Sequence, residues 1–485
     1  MATTATSRRG YAEFVVNKPV TATGPDPWLR NGAQYRESLR DGRHVIVDGR
    51  DVPDVTQEPS LARGVDQLCR YFDAQHKPET RDLLTTIDPE SGQRMSTAWL
   101  VPRTIEDLWR YDRMMKCSTF MTFGTFGRPP DYGPVKAISF VAWNHLLRKE
   151  EPEAADKIQN FLRVGRQNNL TSADTIIDVQ VDRKLPMPQR ASRLRVVEEL
   201  RNGIVVSGAK AGNSVLAQGN IGTISMPPPT AGMPEECMIW AAIPANAQGL
   251  KLVLREATTG GSEDAEDHPI DAEGEEADGL LLFDRVFIPW EYVFSYKNRI
   301  TAGIYTTLGQ FAFWKVATRL SYRAEILAGA AQMIVDALGT DDIPAVRSVV
   351  AEVLAYAAPL RGMMTAAMER AKPTESGVML PDHIFVTAGR LHSIESYPRI
   401  MQHVRDLSGQ GLDRPRAASG LGAPGHWPAA GRVSARPQAL GPEQEPAVQS
   451  DPGHMLQRQC HAPGVVREPQ CHPRAGAARG ALPGL

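Results

Sequence analysis

The sequence predicts a multidomain α+β protein in which a helical N-terminal region leads into an antiparallel β unit and then into a helical bundle. Three observations predict it. Apolar residues recur at helical spacing up to about residue 164, change to short β-branched runs from about residue 174, and return to long Ala-rich helical spacing after about residue 295. The strand-like runs follow one another with turn residues between them, without the strand–helix alternation of a parallel sheet. The length of 485 residues exceeds one hydrophobic core, so about two or three domains are expected. The expected division is a helical N-terminal domain with a small hairpin at 1–150, a β domain at 151–285, a helical bundle at 286–411 and a tail at 412–485.

Each element has a local reason. Residues 1 to about 30 are polar and carry Pro19, Pro25 and Pro27, as expected of a loosely held arm. A short helical pattern covers 31–39. In Arg43-His-Val-Ile-Val-Asp-Gly-Arg50, three β-branched residues precede the turn signal Asp48-Gly49, which predicts a hairpin. Thr104-Ile-Glu-Asp107 has the form of a capping box and opens a helix with Leu108, Trp109, Met114 and Met115 on its apolar side. A second helical region runs from about 136 to 164. Strand candidates follow at 176–179, 194–197, 204–206, 238–243, 250–254 and 280–283, with Asn202-Gly203 as a turn between two of them. An acidic insert from Gly261 to Asp278 interrupts the β unit and reads as a surface loop or lid; His268 within it is expected to be exposed. Helices are then expected over 313–338, 345–371 and 381–407.

Composition excludes several classes. The chain is 42% hydrophobic and 23% charged, as soluble globular proteins are, and its net charge of -2 gives no electrostatic reason to expect nucleic acid or an anionic membrane as partner. No apolar run approaches the roughly 20 residues of a membrane span. The N-terminus lacks an apolar secretory core, so a cytoplasmic location is expected. Cys69, Cys117, Cys237, Cys460 and Cys471 are few, odd in number and scattered, which argues against a disulfide framework.

The stretch 120–132 ends in Gly-Arg-Pro-Pro-Asp-Tyr. Pro129 fixes its own backbone and pushes Arg128 out of the helical region, so the preceding helix is expected to stop there and turn. A stiff corner of this kind can aim Arg128 and Tyr132 into one cavity. Alone, it reads as helix punctuation.

From Leu412 the composition changes. The tail holds 11 of the 37 prolines and no Ile, Phe, Tyr, Lys, Thr or Asn, so it supplies no core and reads as disordered. Gly420-Leu-Gly-Ala-Pro-Gly425 spells a dinucleotide loop, but no strand precedes it and Pro424 stands where a helix should start. Cys460-His461 and Cys471-His472 fit no common zinc spacing. The Ala/Arg/Gly/Pro bias is that of GC-rich DNA translated out of frame, and a shift of one base restores acidic and apolar residues. Sequencing the gene around codons 410 to 414 tests this reading.

Seven segments in order carry a family resemblance: Glu37-Ser-Leu-Arg-Asp-Gly-Arg43 with Asp48-Gly49, Tyr71-Phe-Asp-Ala-Gln-His76, the corner at 127–132, Gly208-Ala-Lys210, Asp267-His-Pro269, Phe283-Asp-Arg-Val-Phe-Ile-Pro-Trp-Glu291 and Tyr397-Pro-Arg399. Across about residues 28 to 411 the chain resembles the oxygenase component of the two-component flavin-dependent phenol hydroxylases, the 4-hydroxyphenylacetate 3-monooxygenase family. The resemblance implies an acyl-CoA-dehydrogenase-like fold with a middle antiparallel β-barrel and a C-terminal bundle that makes a homotetramer. It implies FAD, bound as FADH2 supplied by a separate flavin reductase, reaction with O2 to a C4a-hydroperoxide, and ortho-hydroxylation of a phenol to a catechol.

By the same match, Arg128 and Tyr132 lie at the flavin and substrate. Asp174 stands where the family has His, so the substrate is expected to differ from 4-hydroxyphenylacetate, for example a tyrosine-like phenol attached to a carrier. Gln180, Arg183, Lys210 and Ser214 match flavin contacts of the barrel, and Ser408, Gly409 and Gln410 lie where the bundle approaches the cofactor. The alternatives are an inactive remnant caused by the altered C-terminus, or a dehydratase-type relative on the same fold. The latter needs Cys and His ligands for an iron–sulfur cluster, whereas Cys117 and Cys237 stand isolated in the sequence; no metal is expected.

Overall fold

Helix α1 (Gly32–Ser38) opens with a reciprocal cap in which Asn31 and Gln34 satisfy each other's backbone N–H groups. The computed structural model describes residues 25–127, 131–182, 184–186, 192–225, 232–255, 270–299 and 309–409, all within the compact unit Met1–Gln438. Residues 1–24 of the N-terminal arm, residues 256–269 with His268 of the acidic insert, and the tail with its two Cys-His pairs lie outside the described residues.

The hairpin forms as expected. Strands β1 (His44–Val47) and β2 (Arg50–Val52) flank Asp48 and Gly49, both at positive φ, as a tight two-residue turn requires. It does not stay with the N-terminal helices. β1 pairs in parallel with β10 (Leu250–Leu254) and so extends the sheet of the middle region; two short strands alone bury too little to persist. Helices α2 (Pro59–Ala74) and α3 (Pro78–Leu84) and a small hairpin, β3 (Thr85–Ile87) with β4 (Arg94–Ser96), follow.

α4 (Ile105–Met121) starts at the expected capping box, with Thr104 and Asp107 bonding reciprocally. Its end corrects the sequence reading. The helix stops well before Pro129, because Phe123 and Gly124 both adopt positive φ and the Gly124 N–H closes back onto the Thr119 carbonyl at 2.8 Å. The helical region expected over about 136–164 consists of three helices: α5 (Tyr132–Ala142), α6 (Asn144–Glu150) and α7 (Pro152–Gln167). Pro152 lacks the N–H that would continue α6, and Glu151 is non-helical.

The described strands form two larger open sheets. Six strands run in the order β2, β1, β10, β11 (Asp278–Pro289), β7 (Gly203–Ser214), β6 (Arg195–Leu200); four run β12 (Val293–Tyr296), β9 (Ile239–Pro244), β8 (Ile221–Ile224), β5 (Ser172–Thr175). The expectation of a closed antiparallel barrel is therefore corrected twice. Neither sheet closes among the described residues, and the β1–β10 and β5–β8 pairs are parallel. Short apolar runs mark strands without marking their partners, and both parallel pairs are made by strands far apart in the chain. β5, β8 and β9 are wholly buried, with α5 packed on β5, α7 on β12, and β7 against β5 from the other sheet. Phe140 of α5 stacks on Trp240 of β9, and Phe161 of α7 meets Phe294 of β12 edge-on.

The last region is helical: α8 (Gly309–Leu338), α9 (Pro344–Glu369) and α10 (His383–Ser408), with a small β13 (Lys372–Pro373) and β14 (Met379–Leu380) hairpin before α10. Ala324, Ala331, Val353, Tyr356, Ala357, Leu360, Ile400 and Val404 make their shared core, where alanines allow close helix approach. Asp112 of α4 accepts both guanidinium nitrogens of Arg361 of α9 at 2.8 Å and the Tyr322 hydroxyl of α8 at 2.6 Å, tying the N-terminal helices to this region. No helix among the described residues is long and apolar enough to cross a membrane.

Candidate active site

The corner at 127–132 delivers the chain directly into α5, whose first residue is Tyr132 and whose N-terminal flank is Asp131. Asp131 is fully buried. Its Oδ1 takes a 2.8 Å hydrogen bond from Arg319 Nη2 and lies 3.5 Å from Lys315 Nζ, both from α8 and both buried. Arg319 Nη1 also donates to Ser118 Oγ and Thr119 Oγ1 at the end of α4, and Lys315 Nζ to the Gly127 carbonyl. A carboxylate at this helix end is further favoured by the helix dipole.

The same helical turn is fixed on its other side. Gly133 lies so close to β5 that a Cβ there would come within 1.8 Å of Ser172 Oγ. One turn beyond Tyr132, Lys136 Nζ meets Asp174 Oδ2 at 2.7 Å, with both side chains almost wholly shielded. Asp174 Oδ1 accepts from Thr223 Oγ1 of β8 at 2.6 Å. Asp131, Gly133 and Lys136 thus lock the turn that carries Tyr132 onto α8 and β5. Tyr132's side chain and Arg128 lie outside the described residues.

Lys210 of β7 reaches across to the other sheet. Its ammonium donates to the carbonyls of Ile176 and Ser225 at 3.0 and 2.7 Å and to Asp178 Oδ1 at 2.8 Å, so all three N–H groups have protein acceptors. Burial lowers its pKa and the Asp178 carboxylate opposes that shift. Asp178 Oδ2 also pairs with Arg193 Nη2 at 2.8 Å. Ser214 ends β7, buried and paired with Asp278. Gln180 is exposed, beyond β5. Ser408 donates within its own helix to Val404 and Arg405 carbonyls, and Gly409 caps that helix at φ 62°. Arg183 and Gln410 lie outside the described residues.

The structure therefore links Asp174 to the turn of Tyr132 through Lys136, and bonds Lys210 to the carbonyl of Ile176, two residues beyond Asp174. Ser408 and Gly409 show only local contacts among the described residues. Asp131, Lys136, Thr223, Lys315 and Arg319 were not anticipated from sequence. The available signal was a cation inside an apolar helix: Lys136 within Gly-Pro-Val-Lys-Ala-Ile, and Lys315 with Arg319 at helical spacing in α8.

Beside the corner, Leu68, Tyr71, Met121 and Phe126 with Gln67, Ser118 and Thr122 line a small cavity. Burial pushes the Tyr71 hydroxyl up to about 12, and burial with the nearby Asp131 charge also raises Tyr111 well above its usual value, so both present neutral hydroxyls.

With this geometry in view, residues 31–295 match the 4-hydroxyphenylacetate 3-hydroxylase N-terminal domain and 303–413 its C-terminal domain. The chain belongs to the 4-hydroxyphenylacetate 3-hydroxylase family. It is 31% identical over 394 residues to the FADH(2)-dependent monooxygenase TftD of Burkholderia cepacia, covering 79% of this chain and 75% of that protein. It is 31% identical over 396 residues to 2,4,6-trichlorophenol monooxygenase of Cupriavidus pinatubonensis, with the same coverage. The crystal structure of the oxygenase component (HpaB) of 4-hydroxyphenylacetate 3-monooxygenase complexed with FAD superposes with TM-score 0.76 at 28% identity, over 81% of this chain and 83% of that one. An archaeal 4-hydroxybutyryl-CoA dehydratase from N. maritimus superposes with TM-score 0.74 at 19% identity over 89% of this chain and 85% of that one, a likeness of fold alone.

The residues present fit a flavin. Arg193 Nη1 is buried without a hydrogen-bond partner among the described residues, beside the strand whose Lys210 and Ser214 the resemblance assigns to the cofactor. A donor so placed suits the acceptor-rich rim of a flavin ring or its phosphates. Among the described residues no group of Cys, His, Asp and Glu could hold a metal.

Proposed function

We propose that the chain is the oxygenase component of a two-component monooxygenase, which takes FADH2 from a separate flavin reductase and, with O2, hydroxylates a phenol ortho to its hydroxyl. The observation that carries this reading is the doubly anchored turn of Tyr132, which sits within the motif shared with a family whose members use FADH2 on phenols. When bound, reduced FAD supplies the electrons and the place where O2 is activated.

The chain's own groups do the rest. Arg128 offers a planar fork of donors to a phenolate or a flavin oxygen, and Tyr132 orients the phenolic hydroxyl. Gln180, Arg183 and Ser214 contact the flavin, together with Arg193. Lys210, committed to three acceptors, fixes the strand they flank. Asp174, held by Lys136 and Thr223, acts in the phenol site with its lysine rather than as a free base. Ser408 and Gly409 at the end of α10, followed in sequence by Gln410, serve the cofactor site from the bundle. Ile384, Leu391 and Ile394 leave an exposed apolar stripe on α10, which supports assembly as a homotetramer.

The substrate is a ring-substituted phenol, by analogy with relatives named for trichlorophenol and for 4-nitrophenol in Rhodococcus opacus. A carrier-attached phenol is the second choice, because a relative from Streptomyces globisporus acts on a peptidyl-carrier-bound hydroxyphenyl substrate. The test is single-turnover reaction of the anaerobic FADH2 complex with labelled O2 and a panel of free and carrier-bound phenols. A catechol carrying one labelled oxygen is expected; flavin oxidation with peroxide release and no catechol for any phenol overturns the reading.

A second reading, impairment of the chain as encoded, is favoured by one coincidence: the composition changes at 412 and the family match ends at 413. Comparing FADH2-dependent turnover of this chain with a version carrying the one-base shift tests it, and equal activity removes it.

A further inference from the structure

Between α5 and β7 the charged side chains alternate. Lys136 pairs with Asp174 at 2.7 Å, and Lys210 and Arg193 each pair with Asp178 at 2.8 Å. Lys210 also donates to the carbonyl of Ile176, two residues beyond Asp174, so three cations and two carboxylates form one ladder. It runs from the helix turn of Tyr132 to the strand proposed for the flavin.

Burying this many charges is costly, and well-packed apolar residues usually hold such a position as well or better. A positional role alone is thus a poor reason for the ladder. Its charge gives a better one. Hydroxylation of a phenol is helped by ionising it, which a fixed cation in a poorly hydrated site does efficiently. A carboxylate alone would oppose that ionisation. Asp174 is not alone: Lys136 neutralises it, Thr223 occupies its other oxygen, and the ladder as a whole carries one more cation than anion.

We propose that Lys136 is a positioning residue for phenol hydroxylation, which through its pair with Asp174 holds the turn of Tyr132 and cancels the carboxylate charge that would otherwise oppose ionisation of the phenol. The charged groups around the pair are Lys210 from β7 and, across α5, Asp131 with Lys315 and Arg319 from α8; Thr223 adds a neutral donor from β8. This inference rests on the proposed function.

The test exploits the opposite signs of the two partners. The full chain with reduced FAD is held anaerobic, 4-nitrophenol is added, and the fraction bound as the coloured nitrophenolate is followed against pH. Lys136→Met removes a cation and should raise the apparent pKa of the bound phenol by about one unit. Asp174→Asn removes an anion and should lower it. Lys136→Arg keeps the charge and should leave it in place even where turnover slows.

If Lys136→Met does not fold, Lys136→Gln removes the same charge while still donating to Asp174. A role confined to packing predicts no shift, or the same shift from both partners; either outcome overturns the inference. Failure of the unaltered protein with reduced flavin to bind nitrophenol or any other phenol of the panel sinks the proposed function instead, so the two failures are distinguishable.

Discussion

The turn that carries Tyr132 and the three-helix region behind it are held by opposite means. Around Tyr132 the anchors are buried charges: Asp131 against Arg319 and Lys315, and Lys136 against Asp174. Between α8, α9 and α10 the anchors are apolar, with Ala331, Val353, Leu360 and Ile400 all wholly shielded. Apolar packing tolerates exchange of one side chain for another of similar volume, whereas a buried ion pair accepts one geometry and is costly when half of it is removed. The contrast teaches that this protein concentrates its geometric demands at the proposed site and leaves its scaffold permissive.

The largest effect should come from breaking that contrast at its charged end. Asp131→Ala leaves Arg319 and Lys315 buried without their carboxylate and should cost about 3–5 kcal/mol of stability. Leu360→Ala, at the apolar end, should cost about 3 kcal/mol through its cavity, while a Leu360→Met exchange should cost under about 1.5 kcal/mol. Chemical denaturation measures all three. An Asp131→Ala protein as stable as the Leu360→Met protein would abolish the distinction.

Gly133 sharpens it next. A methyl group there meets Ser172 Oγ at 1.8 Å and Ser172 Cβ at 2.5 Å, so Gly133→Ala should force α5 off β5 at about 1–3 kcal/mol. Adding Ser172→Gly should recover most of the loss. No recovery in the double variant would mean that the close approach is not what seats the helix.

Much of the permissive part was legible in sequence. The capping box at Thr104–Asp107, the Asp48-Gly49 hairpin and the three long C-terminal helices rest on local rules, and they stand within a few residues of their expected limits. The site was legible only as a motif. β5 was misplaced because Ser172-Ala-Asp-Thr175 has no strand-like apolar pattern, while Ile176-Ile177 beside it does; yet Ile177 is 55% exposed and Asp174 is buried. What holds the buried Asp174 is its bonding to Lys136 and Thr223, both remote in sequence, and no periodicity reports a partner of that kind. Helix α2 is the other case: Tyr71 and Phe72 stand out in the sequence as part of a motif, while the helix that buries them does not.

Tyr71 gives a smaller, pH-dependent effect in the apolar wall of the cavity. Burial holds its hydroxyl up to about 12, against about 10 in an unfolded chain. Between those values the native protein keeps a proton that the unfolded chain releases, so stability falls as pH rises. The contribution is complete below about pH 10 and lost through about pH 12, with a slope on the order of 1 kcal/mol per pH unit. Tyr71→Phe should flatten this part of the denaturation-against-pH curve; an unchanged slope would assign the alkaline loss to other tyrosines.

The smallest effect on folding should come from the exposed stripe of α10. Ile394 is 66% exposed and Ile384 64%, so Ile394→Lys removes little buried area from the chain itself and should change its stability by less than about 0.5 kcal/mol. If copies of the chain cover the stripe, the same lysine places a charge in an apolar contact and should split the assembly. Sedimentation measures this: a shift to smaller species with an unchanged unfolding curve identifies the stripe as an interface. An unchanged assembly would move the contact elsewhere and leave α10 as a permissive surface, which extends the contrast with the turn of Tyr132 rather than removing it.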